Sequence, residues 1–355
     1  MRRRTYWSDV MQFTKVLNEI HKEAFIIDAH NDLAFDILRQ RNFGKRKVLE
    51  NDYYEELRDA GVNLLVSSLF IDPVFLPSMA LQRALSQIYA LIEDVEESMG
   101  KFVIVKDYNE IMEARFNNQI AILISFEGMM PIYEDLGLLR IFRELGVRLA
   151  GLTWARRNFL ADGANYVDKI EGVSGGLTEF GVKAVKKCQS LGMVIDLSHI
   201  NDEGFADVLR FTNGPFIASH SNARGIVDTK RNLSDEQIRA IAARKGVIGI
   251  NAMDFLLIGQ SHSNPIESIA DHIDYIVNLV GIDYVGLGLD LNSKLMKYNT
   301  VFENENTKVA HKDVVGDYRE LKKLTKILLK RKYDKSDICK IYGGNFLRVF
   351  KEVLK

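Results

Sequence analysis

The stretch FIIDAHNDLA, residues 25–34, ends a short apolar run in His30 and Asp32. Successive strand residues point to opposite faces, so these two would project to the same side of a strand tip. An imidazole and a carboxylate on one face suit either a transition metal or a buried pair in which each satisfies the other. Comparable endings recur along the chain. Glu127 closes AILISFE, Trp154 closes RLAGLTW, His199 closes MVIDLSH, His220 closes FIASH and Asp290 closes YVGLGLD. Three histidines and three carboxylates exceed the needs of a single catalytic zinc, which takes three protein ligands and leaves a position for water. Two metals roughly 3.5–4 Å apart share a carboxylate and activate a common hydroxide. Glu127 lies between the first-strand pair and the two later histidines in strand order, which makes it the natural bridge. His30 and Asp32 would then complete one site, and His199 with His220 the other. Asp290 is left over, on the far side from Glu127, and free to hold a proton. Nitrogen and oxygen donors without thiolate suit Zn2+, with Mn2+, Co2+ or Fe2+ as alternatives.

Such endings meet only if their strands stand side by side. The chain carries eight short apolar runs that fit, at 25–30, 62–70, 121–127, 148–154, 193–199, 216–220, 247–251 and 284–290. Between most of them lie amphipathic stretches such as GLLRIFRELG, TEFGVKAVKKCQSLG and DEQIRAIAARKG, each closed by a glycine as a helix C-cap would be. Eight strands alternating with helices predict an α/β fold, a closed (β/α)8 TIM barrel whose active site lies where the strands end. An open, doubly wound sheet is the structural alternative, but no glycine-rich nucleotide loop follows the first run. The whole chain, 1–355, reads as a single barrel domain with an N-terminal helical extension over about 1–24 and C-terminal helices. Alternation within the runs agrees. Ser125 and Glu127 share a face opposite Ile122, Ile124 and Phe126, and Gly286, Gly288 and Asp290 oppose Val285, Leu287 and Leu289. Asp196 falls on the helix-facing side when alternation is counted back from His199, and it has no role in this scheme. Taken singly, a strand-end histidine is more often a hydrogen-bonded core or loop residue than a ligand. Convergence of all of them under one fold is what argues for metal.

Bulk properties narrow the field. Acidic and basic residues nearly cancel, 48 against 47, so no field recruits nucleic acid or an anionic membrane. No apolar run is long enough to span a bilayer, and no apolar leader core follows the basic MRRRTYW. With only Cys188 and Cys339 there is no disulfide framework, and a reducing cytoplasm is the expected location. His21, His262 and His311 read as solvated, His272 as a structural helix histidine, and Met129–Met130 as core or pocket wall.

The segments DAHND, FEG, GGLTEFG, LGMVIDLSH, SHSNAR, RNLSDEQIR, ADHIDYI, GLGLD and GGNFLRVF together resemble the membrane (renal) dipeptidase family, peptidase family M19. The resemblance runs from about residue 25 to the end. It implies an amidohydrolase-like (β/α)8 barrel with two Zn2+ per chain, one held by His30, Asp32 and Glu127, the other by Glu127, His199 and His220. It also implies a dipeptidase in which a metal-bridging hydroxide attacks the peptide carbonyl while Asp290 passes a proton to the departing amine. Arg231 matches the residue that grips the C-terminal carboxylate of a small dipeptide substrate through its planar fork. Family members tolerate D-residues on that side, and homodimers occur among them.

Three departures bear on the substrate. Where the family has a histidine that helps hold the developing oxyanion, this chain has Trp154 in GLTWARRN. An indole N–H donates one hydrogen bond but cannot become cationic. Losing such a donor costs roughly 2.7–4 kcal/mol in other enzymes, and Arg156, Arg157 or Asn158 are the nearby substitutes. In GINAMDF, Met253 occupies the place of an aromatic residue near the substrate carboxylate, and GLGLDLN stands where the family has DFDG. Two rival readings follow. One is another amidohydrolase-like metal hydrolase acting on a lactone, cyclic amide or phosphoester. The other is a metal-binding homologue with little turnover because of Trp154. Many of the former bridge their metals with a modified lysine at the fourth strand, where this chain has Trp154 and offers Glu127 instead.

Overall fold

A computed structural model describes residues 14–164, 172–259, 264–297 and 312–355. Its strands are β1 (Ile26–Asn31), β2 (Val62–Phe70), β3 (Phe102–Ile104), β4 (Ile120–Glu127), β5 (Val147–Gly151), β6 (Val194–Asp196), β7 (Ile217–Ala218), β8 (Val247–Ile250) and β9 (Val285–Leu287). All but β3 pair in parallel in chain order, with helices between most of them, which is the (β/α)8 barrel expected. The strand absent from the sequence reading, β3, is only three residues long. It pairs with Ile120–Ile122 at the start of β4, and β5 takes over that edge from Ile124 onward.

The longest ladder, β2 on β4, runs in register from Leu64↔Ala121 to Phe70↔Glu127. Every residue of β4 is buried, which explains a continuous apolar run rather than an amphipathic one. The two faces separate cleanly. Ile120, Ile122, Ile124 and Phe126 join the layer packed against the helices, while Ala121 and Leu123 join Ile27, Leu64, Val66, Leu149, Val194 and Val247 inside the barrel. Phe346, Val349 and Phe350 of the helix Asn345–Val353 plug the inner layer from below. Each such side chain contributes about 1.5–3 kcal/mol of burial.

Among the described residues no ladder joins β1 to β9; a few single hydrogen bonds, from side chains and backbone, close that seam. Leu289 N–H donates to Asp28 Oδ1 at 2.7 Å, and Asp290 N–H donates to the His30 carbonyl at 3.2 Å. Tyr318 donates its hydroxyl proton to Asp28 Oδ2 at 2.5 Å and accepts from Asn31 Nδ2 at 3.1 Å. Burial pushes the Asp28 carboxyl up to about 6 despite these donors. Lower down, Asn345 Nδ2 donates to the carbonyls of Ile282 and Val285. A methyl group on Gly286 would overlap the Phe346 ring, so glycine there admits the plug.

Residues 14–23 are helical and bury Leu17 and Ile20. His21 is not solvated as expected: its ring bonds Thr325 Oγ1 at 2.8 Å and the Ala60 carbonyl at 3.1 Å, tying this helix to the barrel. His272 is buried in the helix Glu267–Val280, accepting from Ala223 N–H and donating to the Leu257 carbonyl, as a structural histidine would. His262 and His311 lie outside the described residues. No described helix is long and apolar enough to cross a membrane.

Candidate active site

The C-terminal ends of the strands deliver the expected residues to one point. Glu127, the last residue of β4, points inward by simple alternation. Its Oε1 lies 3.0 Å from His199 Nε2 and 3.6 Å from His220 Nε2, and its Oε2 lies 3.5 Å from His30 Nε2. His199 Nε2 and His220 Nε2 are 2.9 Å apart, and the His30 and His220 rings stack with centroids 3.6 Å apart. Asp32, just before the helix Leu33–Asn42, puts Oδ1 4.0 Å from His30 Nε2 and accepts from Ser68 Oγ. Ligand atoms of His30, Glu127 and His220 lie within 4.8 Å of one another, as do those of His30, Asp32 and Asp290.

Three of these residues reach the site by leaving regular strand geometry. Ile27 and Ala29 face the barrel interior, so strict alternation would turn His30 outward. A register irregularity between Asp28 and Asn31 breaks that alternation. Strand β6 stops at Asp196 and β7 at Ala218, so His199 and His220 stand in the turns beyond them. His199 and Asp290 both adopt left-handed backbone, φ 68° and 55°. Such strain costs of order 1–3 kcal/mol per residue and persists where the surroundings over-determine it. Here Ala164 N–H bonds the His199 carbonyl, and the His30 carbonyl takes the Asp290 N–H.

Burial lowers the His199 and His220 pKa values well below their ordinary value, aided by Arg231 and His30, so both imidazoles are neutral. Neutral imidazole is the form that ligates a metal. Burial raises Asp32 to about 7, with the Glu127 charge adding to it, and raises Glu127 to about 7. Asp290 is pushed well above the usual carboxylate range by burial, which outweighs the opposing pull of His30, and the charges of Asp32 and Glu127 add to it. Within this crowd His30 Nε2 and Glu127 Oε2 are buried without a hydrogen-bond partner. Buried polar atoms are otherwise almost always satisfied. Two orphaned ligand atoms among neutral imidazoles and crowded carboxylates fit divalent cations well.

Asp290, expected on the far side from Glu127, stands next to the first-strand ligands His30 and Asp32. The seam brings β9 beside β1, and Asp290 Oδ1 lies 3.8 Å from His30 Nε2. Asn251 Nδ2 donates to Asp290 Oδ2 at 3.0 Å, and Asn292 Nδ2 donates to its backbone carbonyl at 2.9 Å. Neither asparagine is singled out by the sequence reading, although Asn251 ends VIGIN at a barrel strand tip. Arg231 is buried close by. Its Nη1 donates to Ser221 Oγ at 2.9 Å and its Nη2 to the His220 carbonyl at 2.6 Å, so the guanidinium braces a ligand-bearing turn.

The remaining expected contacts divide. Trp154 packs against Phe70, ring centroids 5.2 Å apart, and lies 6.2 Å from the His199 ring. With Phe35, Phe70 and Leu295 it makes a small apolar cluster separate from the main core. Asn158 does not face the site as a free donor: Nδ2 bonds the Leu152 carbonyl and Oδ1 accepts from Leu160 and Ala161 N–H, so its amide staples its own loop. Met253 precedes the short helix Asp254–Leu257, donates its N–H to Asn251 Oδ1 and pairs through its backbone with Asp313.

Comparison with known proteins shows the family. Residues 14–355 match the family described as membrane dipeptidase, peptidase family M19. An uncharacterized dipeptidase of Schizosaccharomyces pombe is 29% identical over 357 residues, covering 94% of this chain and 82% of the relative. Among solved structures, a dipeptidase of family M19 superposes with a TM-score of 0.80 at 24% identity, covering 93% of this chain and 99% of the other. A metallopeptidase from Rhodobacter sphaeroides, bound to a phosphinate mimic of the dipeptide L-Ala-D-Ala, gives 0.79 at 23% identity over 94% and 99%. With the match extending over residues 14–355 and the same barrel beneath it, this chain belongs to the membrane dipeptidase family, M19.

Proposed function

We propose that this protein is a binuclear, zinc-dependent dipeptidase. The observation that carries the reading is the convergence of five ligand residues on a buried point where His30 Nε2 and Glu127 Oε2 lack partners. His30, Asp32 and Glu127 would hold one cation, and Glu127, His199 and His220 the other; nitrogen and oxygen donors of this kind suit zinc. Bound there, the cations supply Lewis acidity toward the peptide carbonyl and lower the pKa of water at the shared carboxylate. Asp290, oriented by Asn251 and Asn292, takes the proton of the attacking water and returns it to the departing amine. Arg231 contributes positive charge at the inner wall, which draws the free carboxylate of a short substrate. Trp154, Phe70, Phe35 and Leu295 offer an apolar wall to a substrate side chain. The mimic bound to the Rhodobacter sphaeroides neighbour supports including C-terminal D-residues among the substrates.

The test is a panel of L,L- and L,D-dipeptides against zinc-loaded protein, with Asp290→Asn beside it. Dipeptides should be cleaved, and Asp290→Asn should lower kcat roughly 10²–10⁴-fold, the usual worth of a general acid–base, with two metals still bound. Lactone or phosphoester turnover without dipeptide cleavage would overturn the proposal. One observation favours a second reading: past the end of β5 the indole of Trp154 lies 6.2 Å from the His199 ring, where it cannot carry positive charge. Two bound metals without any turnover would establish that reading, a metal-binding homologue.

A further inference from the structure

The carboxylate of Asp196 lies inside the barrel between β6 and β7, because Val194 faces the interior and alternation brings Asp196 to the same side. Counting back from His199 misplaces it, since the left-handed turn at His199 inverts the alternation. Asp196 is buried and saturated. Oδ1 accepts from Ser198 N–H at 3.0 Å and Ser219 N–H at 2.8 Å, and Oδ2 accepts from the Ser219 hydroxyl at 2.5 Å. Ser219 Oγ is also 2.7 Å from His220 Nδ1. A hydroxyl has one proton, and an ionised carboxylate only accepts. The Ser219 proton therefore goes to Asp196, and the Ser219 lone pair must accept from an Nδ1–H. That leaves His220 Nε2 bare, facing Glu127 and His199. Ser219 is itself locked: a methyl group on Gly249 or Gly288 would overlap its carbonyl oxygen, and His220 N–H donates to Ser198 Oγ at 3.1 Å.

We propose that Asp196 is a positioning residue that acts through Ser219 to hold His220 as its Nδ1–H tautomer, ready to ligate through Nε2. The relay uses only groups of this chain; its consequence for metal rests on the reading of His220 as a ligand. Outer partners of this kind typically matter 10–100-fold for metal affinity.

The experiment uses full-length, metal-free protein with ¹⁵N-labelled histidine, and compares wild type with Ser219→Ala, Ser219→Thr and Asp196→Asn. Long-range ¹H–¹⁵N spectra report the tautomer directly, and competition with a chromophoric chelator reports zinc affinity. Wild type and Ser219→Thr should show His220 protonated at Nδ1. Ser219→Ala should lose that preference, and Asp196→Asn should shift it toward Nε2–H, because a carboxamide donates to Ser219 and turns its proton toward the ring. Zinc affinity at one of two sites should fall roughly 10–100-fold in Ser219→Ala and recover in Ser219→Thr. An Nδ1–H tautomer surviving in Ser219→Ala would overturn the relay, and an altered tautomer with unchanged zinc affinity would overturn its positioning role. If wild type took up no zinc, the dipeptidase reading would fail, while the tautomer spectra would still decide the relay.

Discussion

Glu127→Gln separates a site built for metal from a polar pair kept for stability, because the two make opposite predictions for the metal-free protein. Burial raises the Glu127 carboxyl from its ordinary 4.5 to about 7. At about 1.36 kcal/mol per pH unit, ionising it in the folded state costs roughly 3 kcal/mol once the pH exceeds that value. The sign follows from proton counts. Between these two values the native state binds more protons than the unfolded state, so the stabilisation present below about 4.5 is lost as pH rises to about 7. Glutamine cannot ionise. At pH 8 in EDTA the variant should therefore be more stable than wild type, by up to roughly 3 kcal/mol and by less where Asp32 shares the relief. The advantage should shrink toward zero near pH 4.5. Zinc should reverse the order. Ligand saturation at about 1,000 times Kd adds about 4 kcal/mol to a protein that binds it, and the variant lacks the carboxylate both sites would share. Urea unfolding in EDTA and in excess zinc, at both pH values, with metal content measured alongside, provides the data. A metal-free variant less stable than wild type at pH 8, or equal zinc stabilisation of both proteins, would refute the reasoning.

The barrel seam and the apolar wall can be tested in the same way. Tyr318→Phe removes a hydroxyl donor from buried Asp28, a charge-assisted bond worth about 1.5–3 kcal/mol. Because the Asp28 carboxyl titrates at about 6, urea melts should show the full loss at pH 8 and a smaller one at pH 5, where Asp28 is mostly protonated. Trp154→Ala should lower kcat/KM roughly 10–200-fold for dipeptides with a bulky apolar side chain, the usual worth of a hydrophobic pocket contact. Glycylglycine should be little affected; a uniform loss across substrates would count against a specificity role.

Different parts of the site were legible for different reasons. Glu127 sits at the end of an eight-residue strand with unbroken alternation, so residue type and parity together locate it. For His30, His199 and His220 parity fails, through the irregularity in β1 and the early ends of β6 and β7. What survives is coarser: a ligand-type residue just past a barrel strand ends near the mouth whatever its local phase. Measured from Glu127 alone, Asp290 looks isolated; in the closed barrel the last strand neighbours the first, which sets Asp290 beside His30. Counting alternation back from His199 puts Asp196 on the wrong face, because the left-handed turn at His199 inverts it; Ser219, Asn251 and Asn292 carry no such signal, since they hold other side chains. Tyr318 is 290 residues from the carboxylate it serves, beyond any local pattern. Likewise β3 is too short to show a period.

The seam between β1 and β9 also orders events during synthesis. A chain leaves the ribosome amino end first, so β1 is made before the barrel's other strands and its β9 side stays uncovered until β9 follows. Tyr318 and the Phe346–Phe350 plug come later still. Through most of translation β1 therefore presents an unpaired edge, the kind of surface that invites association with other chains. Asp28 suits such an edge: until Leu289 and Tyr318 arrive it is a bare carboxylate in water, and a charge on an open strand discourages the wrong neighbour. The residue that seals the finished barrel thus guards the unfinished one.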